Sequence, residues 1–282
     1  MATQENDEDD MEINPAKMLF PADETHGNGP LPMAMLTQDT LTSSSSETEQ
    51  HYMPSIESTL VIRQLPSQGL SFKLWPAATT LVTLLDQFCS HPSNSPLASS
   101  LSNGCQLNIL ELGSGTGLVG MAAAAILGAK VTVTDLPHVL TNLQFNVDAN
   151  AGLISLRGGS VHVAPLRWGE AEANDVAVVG REFDVILASD VVYHDHLFDP
   201  LLVTLRLFLN SGEPEPKKKK MNFVMAHLRR WKKDSVFFKK AKKLFDVETI
   251  HADLPCNGAR VGVVVYRMTG KAKSSKSSSQ CS

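Results

Sequence analysis

Three glycines at alternate positions, Gly113, Gly115 and Gly117, follow an apolar run, Leu107–Leu112, and precede a helical stretch that opens near Leu118. Without a Cβ, such residues let the backbone turn sharply and approach a ligand closely. The helix N-terminus beyond the turn presents unpaired N–H groups and partial positive charge, which suit a phosphate or a carboxylate. The next apolar run ends in Asp135, an acid placed to accept hydrogen bonds from both hydroxyls of a ribose. Gly115–Gly120 also fits the dinucleotide fingerprint, with the acid about 20 residues beyond its start. Any one of these glycines could serve an ordinary turn. Strand, glycine loop, helix and acid together point to a cofactor that contains adenosine, and leave open a nicotinamide dinucleotide or S-adenosylmethionine.

The residues that separate the two lie further on. The run Phe183–Tyr193 ends in Ser189, Asp190 and Tyr193. In an open α/β sheet its tip falls beside the first strand, where the strand order reverses and ligands bind. A nicotinamide enzyme needs a proton donor beside the hydride acceptor, and no Tyr-x-x-x-Lys arrangement occurs. Trp75 stands just before the first domain helix and Trp168 just after the third strand; their indoles could pack on a methionine chain and an adenine. The plain alternatives are a loop hydrogen bond for Asp190 and core packing for Tyr193. His194 and His196, two residues apart and without a third ligand, do not make a metal site.

These residues need a frame. Apolar runs at Leu107–Leu112, Lys130–Thr134, Ser160–Ala164, Asp184–Ser189, Asn222–Ala226, Phe245–Ile250 and Val261–Arg267 read as strands. Helical patterns at Pro76–Phe88, Leu118–Leu127, Pro137–Ala149, His196–Leu209 and Asp234–Leu244 separate most of them. The alternation predicts an α/β, Rossmann-like, seven-stranded and mostly parallel sheet with helices on both faces. The last two strands have no helix between them, which predicts an antiparallel last strand. Ser58–Gln64 and Leu70–Leu74 read as a hairpin ahead of the domain.

Composition bounds the rest. Of the 282 residues, 1–50 hold 11 acids and one lysine, and the remainder 19 acids and 24 bases. Residues 1–55 read as a disordered acidic, Ser-rich leader, 56–270 as the folded domain and 271–282 as a disordered Lys/Ser tail. The acidic start argues against a secretory or transit signal, and no apolar run is long enough to cross a membrane. No CxxC pair occurs among Cys89, Cys105, Cys256 and Cys281, so neither a zinc site nor a redox motif is expected. A soluble monomer of the cytoplasm, with nuclear access open, is the expectation. Lys217–Lys243 holds 12 bases and one acid. It reads as a solvated loop and the outer face of an amphipathic helix with its aromatics turned inward, rather than as a nucleic-acid surface.

Six segments in order carry a resemblance to a known family: Trp75-Pro-Ala-Ala, Glu111-Leu-Gly-Ser-Gly-Thr-Gly-Leu-Val-Gly, Thr134-Asp-Leu-Pro, Asn146-Val-Asp-Ala-Asn, Leu166-Arg-Trp-Gly and Ala188-Ser-Asp-Val-Val-Tyr. Over roughly 58–268 the chain resembles methyltransferase family 16, largely protein-lysine methyltransferases acting on non-histone proteins. The resemblance implies S-adenosyl-L-methionine as cofactor. It implies contacts to that cofactor from Trp75, Glu111, Gly113, Ser114, Gly115, Asp135, Leu136, Trp168 and Ser189, with Asp190 and Tyr193 nearest a lysine acceptor on a protein substrate. Two alternatives remain at this point: a methyltransferase of small molecules or nucleic acid on the same fold, and a scaffold that keeps the cofactor without catalysis.

Overall fold

The computed structural model describes residues 46–101, 106–169, 173–209, 221–255 and 262–271. The expectations for most of the leader, the first four lysines of the Lys217–Lys243 segment and the tail beyond residue 271 lie outside the described residues. The chain opens with a hairpin of β1 (Glu47–Met53) and β2 (Ser58–Gln64), antiparallel over their whole length. This corrects two expectations. The partner of Ser58–Gln64 is Glu47–Met53, within the segment assigned to the leader, and Leu70–Phe72 is a single 3-10 turn. A polar strand that buries only Met53 leaves no hydrophobic periodicity to read.

Then follow α1 (Pro76–Ser90), β3 (Asn108–Leu112), α2 (Leu118–Leu127), β4 (Lys130–Asp135), α3 (Leu140–Ala149), α4 (Ala151–Ser155) and β5 (Ser160–Pro165). Next come α5 (Ala173–Val179), β6 (Val185–Ser189), α6 (Phe198–Leu209), β7 (Asn222–Leu228), α7 (Asp234–Leu244), β8 (Phe245–Ala252) and β9 (Val263–Gly270). The short α4 and α5 are additions to the expected pattern. The other helices and the seven central strands stand where the alternation puts them, with ends shifted by a few residues.

The sheet order is β5-β4-β3-β6-β7-β9-β8. All neighbours are parallel except β9, which runs antiparallel between β7 and β8. The predicted fold class therefore holds. Both faces are buried, as a parallel sheet requires. Ile109, Val185, Leu187, Val224 and Ala226 face a core built with α1 to α4. Their neighbours Leu110, Ile186, Ala188, Phe223 and Met225 face a second core built with α5 to α7. Because side chains alternate along a strand, each central strand feeds both cores.

The hairpin joins the domain through side-chain amides. Asn150 accepts from Val61 N–H at 2.9 Å and donates to Val61 C=O at 2.9 Å. Four residues earlier on α3, Asn146 does the same with Arg63, at 2.9 and 3.1 Å. Asn146 also donates to the Thr116 carbonyl at 2.9 Å, so this pair of amides ties β2 to the glycine loop.

Candidate functional site

The strand order reverses at β3, between β4 and β6, so the loops leaving these three strands splay apart above their C-terminal ends. A cleft of about 490 Å³ opens there, lined by residues from those loops, from the Leu70–Ala78 segment and from the β7–α7 turn. Trp75, Glu111, Gly113, Ser114, Gly115, Asp135, Leu136, Trp168, Ser189, Asp190 and Tyr193 all line it. Sequence reasoning therefore named residues that the fold brings to one place.

One wall is the glycine loop. Gly113 has φ +62°, and a Cβ there would lie 2.9 Å from Val191 Cγ1 and 3.2 Å from Trp168 Cζ2. The bare backbone lets the Trp168 indole close down on the loop. Ser114 fastens two strand ends. Its hydroxyl accepts from Thr134 N–H at 3.0 Å, while its own N–H donates to Thr134 C=O at 2.9 Å. This clasp holds the tips of β3 and β4 together, with Ser114 at the cleft edge.

Two carboxylates face the cleft from this wall. Asp135 accepts from Gly115 N–H at 2.8 Å through one oxygen and from Leu136 N–H at 2.7 Å through the other. Each oxygen keeps a lone pair for a further donor. Burial pushes its pKa up, against the two backbone N–H groups that favour the anion. Glu111 is fully buried; its Oε2 accepts from Gly120 N–H at 2.9 Å and its Oε1 has no hydrogen-bond partner among the described residues. Burial pushes the Glu111 pKa up to about 8, so the carboxyl holds a proton at neutral pH. Gly120 must be glycine, since a Cβ would lie 2.3 Å from Val133 Cγ1 and 2.6 Å from Glu111 Oε2.

The opposite wall is built on Asp190. Its backbone is left-handed, φ +54°, a strained state for a residue with a Cβ. Its N–H donates to Ala226 C=O at 2.9 Å and its Oδ1 accepts from Leu228 N–H at 3.0 Å, so β7 holds the turn in place. Arg230 Nη2 donates to Oδ2 at 2.8 Å. Behind it the buried His227 ring lies between two carboxylates, with Nδ1 3.6 Å from Asp190 Oδ1 and Nε2 3.3 Å from Asp234 Oδ2. Burial works against ionisation of Asp190, but His227 and Arg230 outweigh it and hold its pKa below the usual range. Burial also works against a charged His227, and the two carboxylates overcome it, raising the imidazole pKa. Tyr193 is partly buried beside the His194 ring, centroids 4.7 Å apart, and burial raises its phenol pKa.

Sequence reasoning missed the β7–α7 turn. Trp231 and Lys233 line the cleft, whereas the expectation turned the aromatics of this basic segment to the core. Phe237 does sit there, and Phe238 packs against it. Trp231 differs because it precedes the helix, in a turn pinned when Asp234 Oδ2 accepts from the N–H groups of Arg230 and Trp231, both at 3.3 Å. His194 and His196 stack on each other, centroids 5.2 Å apart.

The family model described as lysine methyltransferase matches residues 55–244. The chain belongs to that family. Protein N-lysine methyltransferase METTL21A of Mus musculus is 32% identical over 202 residues, covering 69% of this chain and 78% of that protein. Protein-lysine N-methyltransferase rrg1 of Schizosaccharomyces pombe is 38% identical over 142 residues, covering 50% of this chain and 43% of that one. This chain spans less than two thirds of the length of the first curated relatives it matches. Among solved structures, a SAM-dependent methyltransferase from Agrobacterium tumefaciens matches with a TM-score of 0.50 at 16% identity, over 82% of this chain and 72% of that one, a likeness of fold. Among the described residues no helix is long and apolar enough to cross a membrane.

Proposed function

We propose that this chain is an S-adenosylmethionine-dependent methyltransferase acting on a lysine side chain of a protein. One observation carries the reading: a single cleft at the strand-order reversal sets two buried carboxyls of the glycine-loop wall, Asp135 and Glu111, across from the ion-paired Asp190.

The residues of the glycine-loop wall fit the cofactor. Glu111 Oε1 is buried without a hydrogen-bond partner among the described residues, which suits it to the ammonium of a methionine moiety. Asp135 has lone pairs left for ribose hydroxyls, and the Cβ-free Gly113 leaves room for Trp168 to close over the loop. When bound, S-adenosylmethionine supplies a methyl group on a sulfonium, a leaving group already activated by its charge. The protein must then orient an acceptor and exclude water, which for well-aligned reactants removes about 7–11 kcal/mol of barrier. Trp75 and Trp168 supply apolar walls for that exclusion.

A lysine acceptor must shed a proton before its nitrogen can attack, at about 4–5 kcal/mol near pH 7 for an unperturbed side chain. Asp190 is held as an anion by Arg230 and His227, so it orients the ammonium by charge and is a weak proton acceptor. The proton then passes to water at the cleft mouth. Tyr193 places an aromatic ring beside the acceptor stem.

The test is incubation of cell extract with this protein and radiolabelled S-adenosylmethionine, resolved by gel and mass spectrometry. Label on lysine of an extract protein is the expected result. Label only on nucleic acid or small molecules, or cofactor binding without transfer, overturns the reading.

A further inference from the structure

An acceptor lysine arrives at this cleft as a cation, yet the mouth that receives it is itself basic. Lys73 stands over the Trp75 ring at 5.9 Å, and Lys233 over the Trp231 ring at 5.2 Å. Neither ammonium makes an ion pair with a carboxylate among the described residues. Arg230 adds a third cation over Trp75, at 5.1 Å, with its charge matched by Asp190. The other carboxyls of the lining, Glu111 and Asp135, are buried in the opposite wall. Asp195, beside His194, is exposed but does not line the cleft. Bound S-adenosylmethionine brings a further net positive charge.

Like charges within about 8–10 Å repel across water at ordinary ionic strength. A lone lysine side chain therefore meets an unfavourable field at the entrance, and something in its carrier has to reverse it. An indole beneath each ammonium fixes the position of that ammonium without cancelling its charge. The result is a pair of fixed cations with apolar floors, a surface that suits carboxylates on short stems.

We propose that the rim formed by Lys73, Trp75, Trp231 and Lys233 is a docking surface for an acidic protein segment, with carboxylates on both sides of the acceptor lysine. The inference rests on the lysine methyltransferase reading and adds the chemistry of the partner. Flanking acids pair with Lys73 and Lys233 and cancel the field that opposes the lysine. Nucleic acid would also meet a basic rim; the family to which the chain belongs favours protein.

Fluorescence anisotropy with saturating S-adenosylhomocysteine tests this. The probes are short labelled peptides with one central lysine flanked by glutamate, glutamine or arginine, and a single-stranded oligonucleotide of matching charge. The glutamate peptide should bind at least about tenfold more tightly than the glutamine peptide in dilute salt, and the gap should close in concentrated salt. Lys73→Glu/Lys233→Glu should remove or invert the preference. Lys233→Glu alone, at an exposed turn position, should weaken it, with the thermal melt confirming the fold. Equal binding of the glutamate and glutamine peptides, no binding of the glutamate peptide, or tighter binding of the oligonucleotide overturns the proposal. Binding is read without turnover. A protein that labels lysine in extract yet binds the peptides alike loses only the acidic partner, and one that prefers the acidic peptide yet labels nothing loses only the activity.

Discussion

Arg230 Nη2 donates to Asp190 Oδ2 at 2.8 Å, and the same guanidinium lies over the Trp75 ring at 5.1 Å. The residue that fixes the charge at the acceptor side thus also lies over the indole of the Leu70–Ala78 segment. Loss of the Asp190 charge leaves Arg230 and His227 unbalanced in a largely buried place.

We predict that Asp190→Asn keeps the acceptor for Leu228 N–H but lowers stability by about 1.5–3 kcal/mol through the lost charged hydrogen bond. Cofactor affinity should stay within about threefold, below 1 kcal/mol on the affinity scale. Transfer to protein should fall much further. Calorimetry and methyl incorporation measure the two separately. Wild-type turnover in the folded variant sinks the assignment.

Asp135 serves the other side. Its two oxygens already hold Gly115 and Leu136 N–H groups, so the amide of Asp135→Asn breaks one of these as well as a ribose contact. At about 1.5–3 kcal/mol for each hydrogen bond to an anion, S-adenosylhomocysteine affinity should drop at least tenfold by calorimetry. Unchanged affinity would remove the ribose role.

Glu111 predicts a pH dependence. Its pKa rises from 4.5 in the unfolded chain to about 8 in the fold, because burial favours the neutral acid. The protonated form therefore contributes stability that is complete below pH 4.5 and lost as pH climbs through about 8. Glu111→Gln should flatten this slope in melts taken across that window. An ammonium beside Oε1 favours the carboxylate again, so cofactor binding at neutral pH should release a proton. Calorimetry in two buffers of different ionisation enthalpy reads that proton directly. Identical heats in both buffers would show that Glu111 gives up no proton to the cofactor, and the same slope in the variant would show that the fold does not raise its pKa.

The hairpin is part of the stability of the domain. Met53 is fully buried against the first core, and β1 closes the ladder on β2. Removing residues through Met53 should cost at least the burial of that side chain, about 1.5–3 kcal/mol, with a lower melting temperature. A melt equal to that of the full chain would mean that β1 contributes nothing.

How much of this was legible follows from where the signals come from. The glycine loop, Asp135 and the β6 tip are local: strand, turn and acid lie within a short stretch, and a βαβ unit has one handedness to choose. β1 was illegible because a polar edge strand spends its side chains on water. The cluster around His227 was illegible for another reason. Asp190 meets Leu228 and Arg230 across 38 and 40 residues of sequence, through strand pairing that no periodicity announces. Trp231 was misread because it was grouped with Phe237 and Phe238 as an aromatic turned to the core, although it precedes the helix expected from Asp234. The helix begins at Asp234, and the residues before it belong to the cleft.

Asn146 on α3 and Asn150 at its C-terminal cap solve a problem of pitch. A helix advances about 6.0 Å over four residues, and a strand about 6.6 Å over two. Asn146 and Asn150 therefore fall nearly level with Arg63 and Val61, and each amide can replace the neighbouring strand that β2 lacks on that side. The mismatch grows with every rung. By Asn142 the amide Oδ1 meets the guanidinium of Arg63 at 2.8 Å instead of another backbone N–H. A helix can thus stand in for a strand over two rungs, and inserting a single residue between Asn146 and Asn150, or between Val61 and Arg63, would unzip the hairpin from the domain and release the Thr116 end of the glycine loop with it.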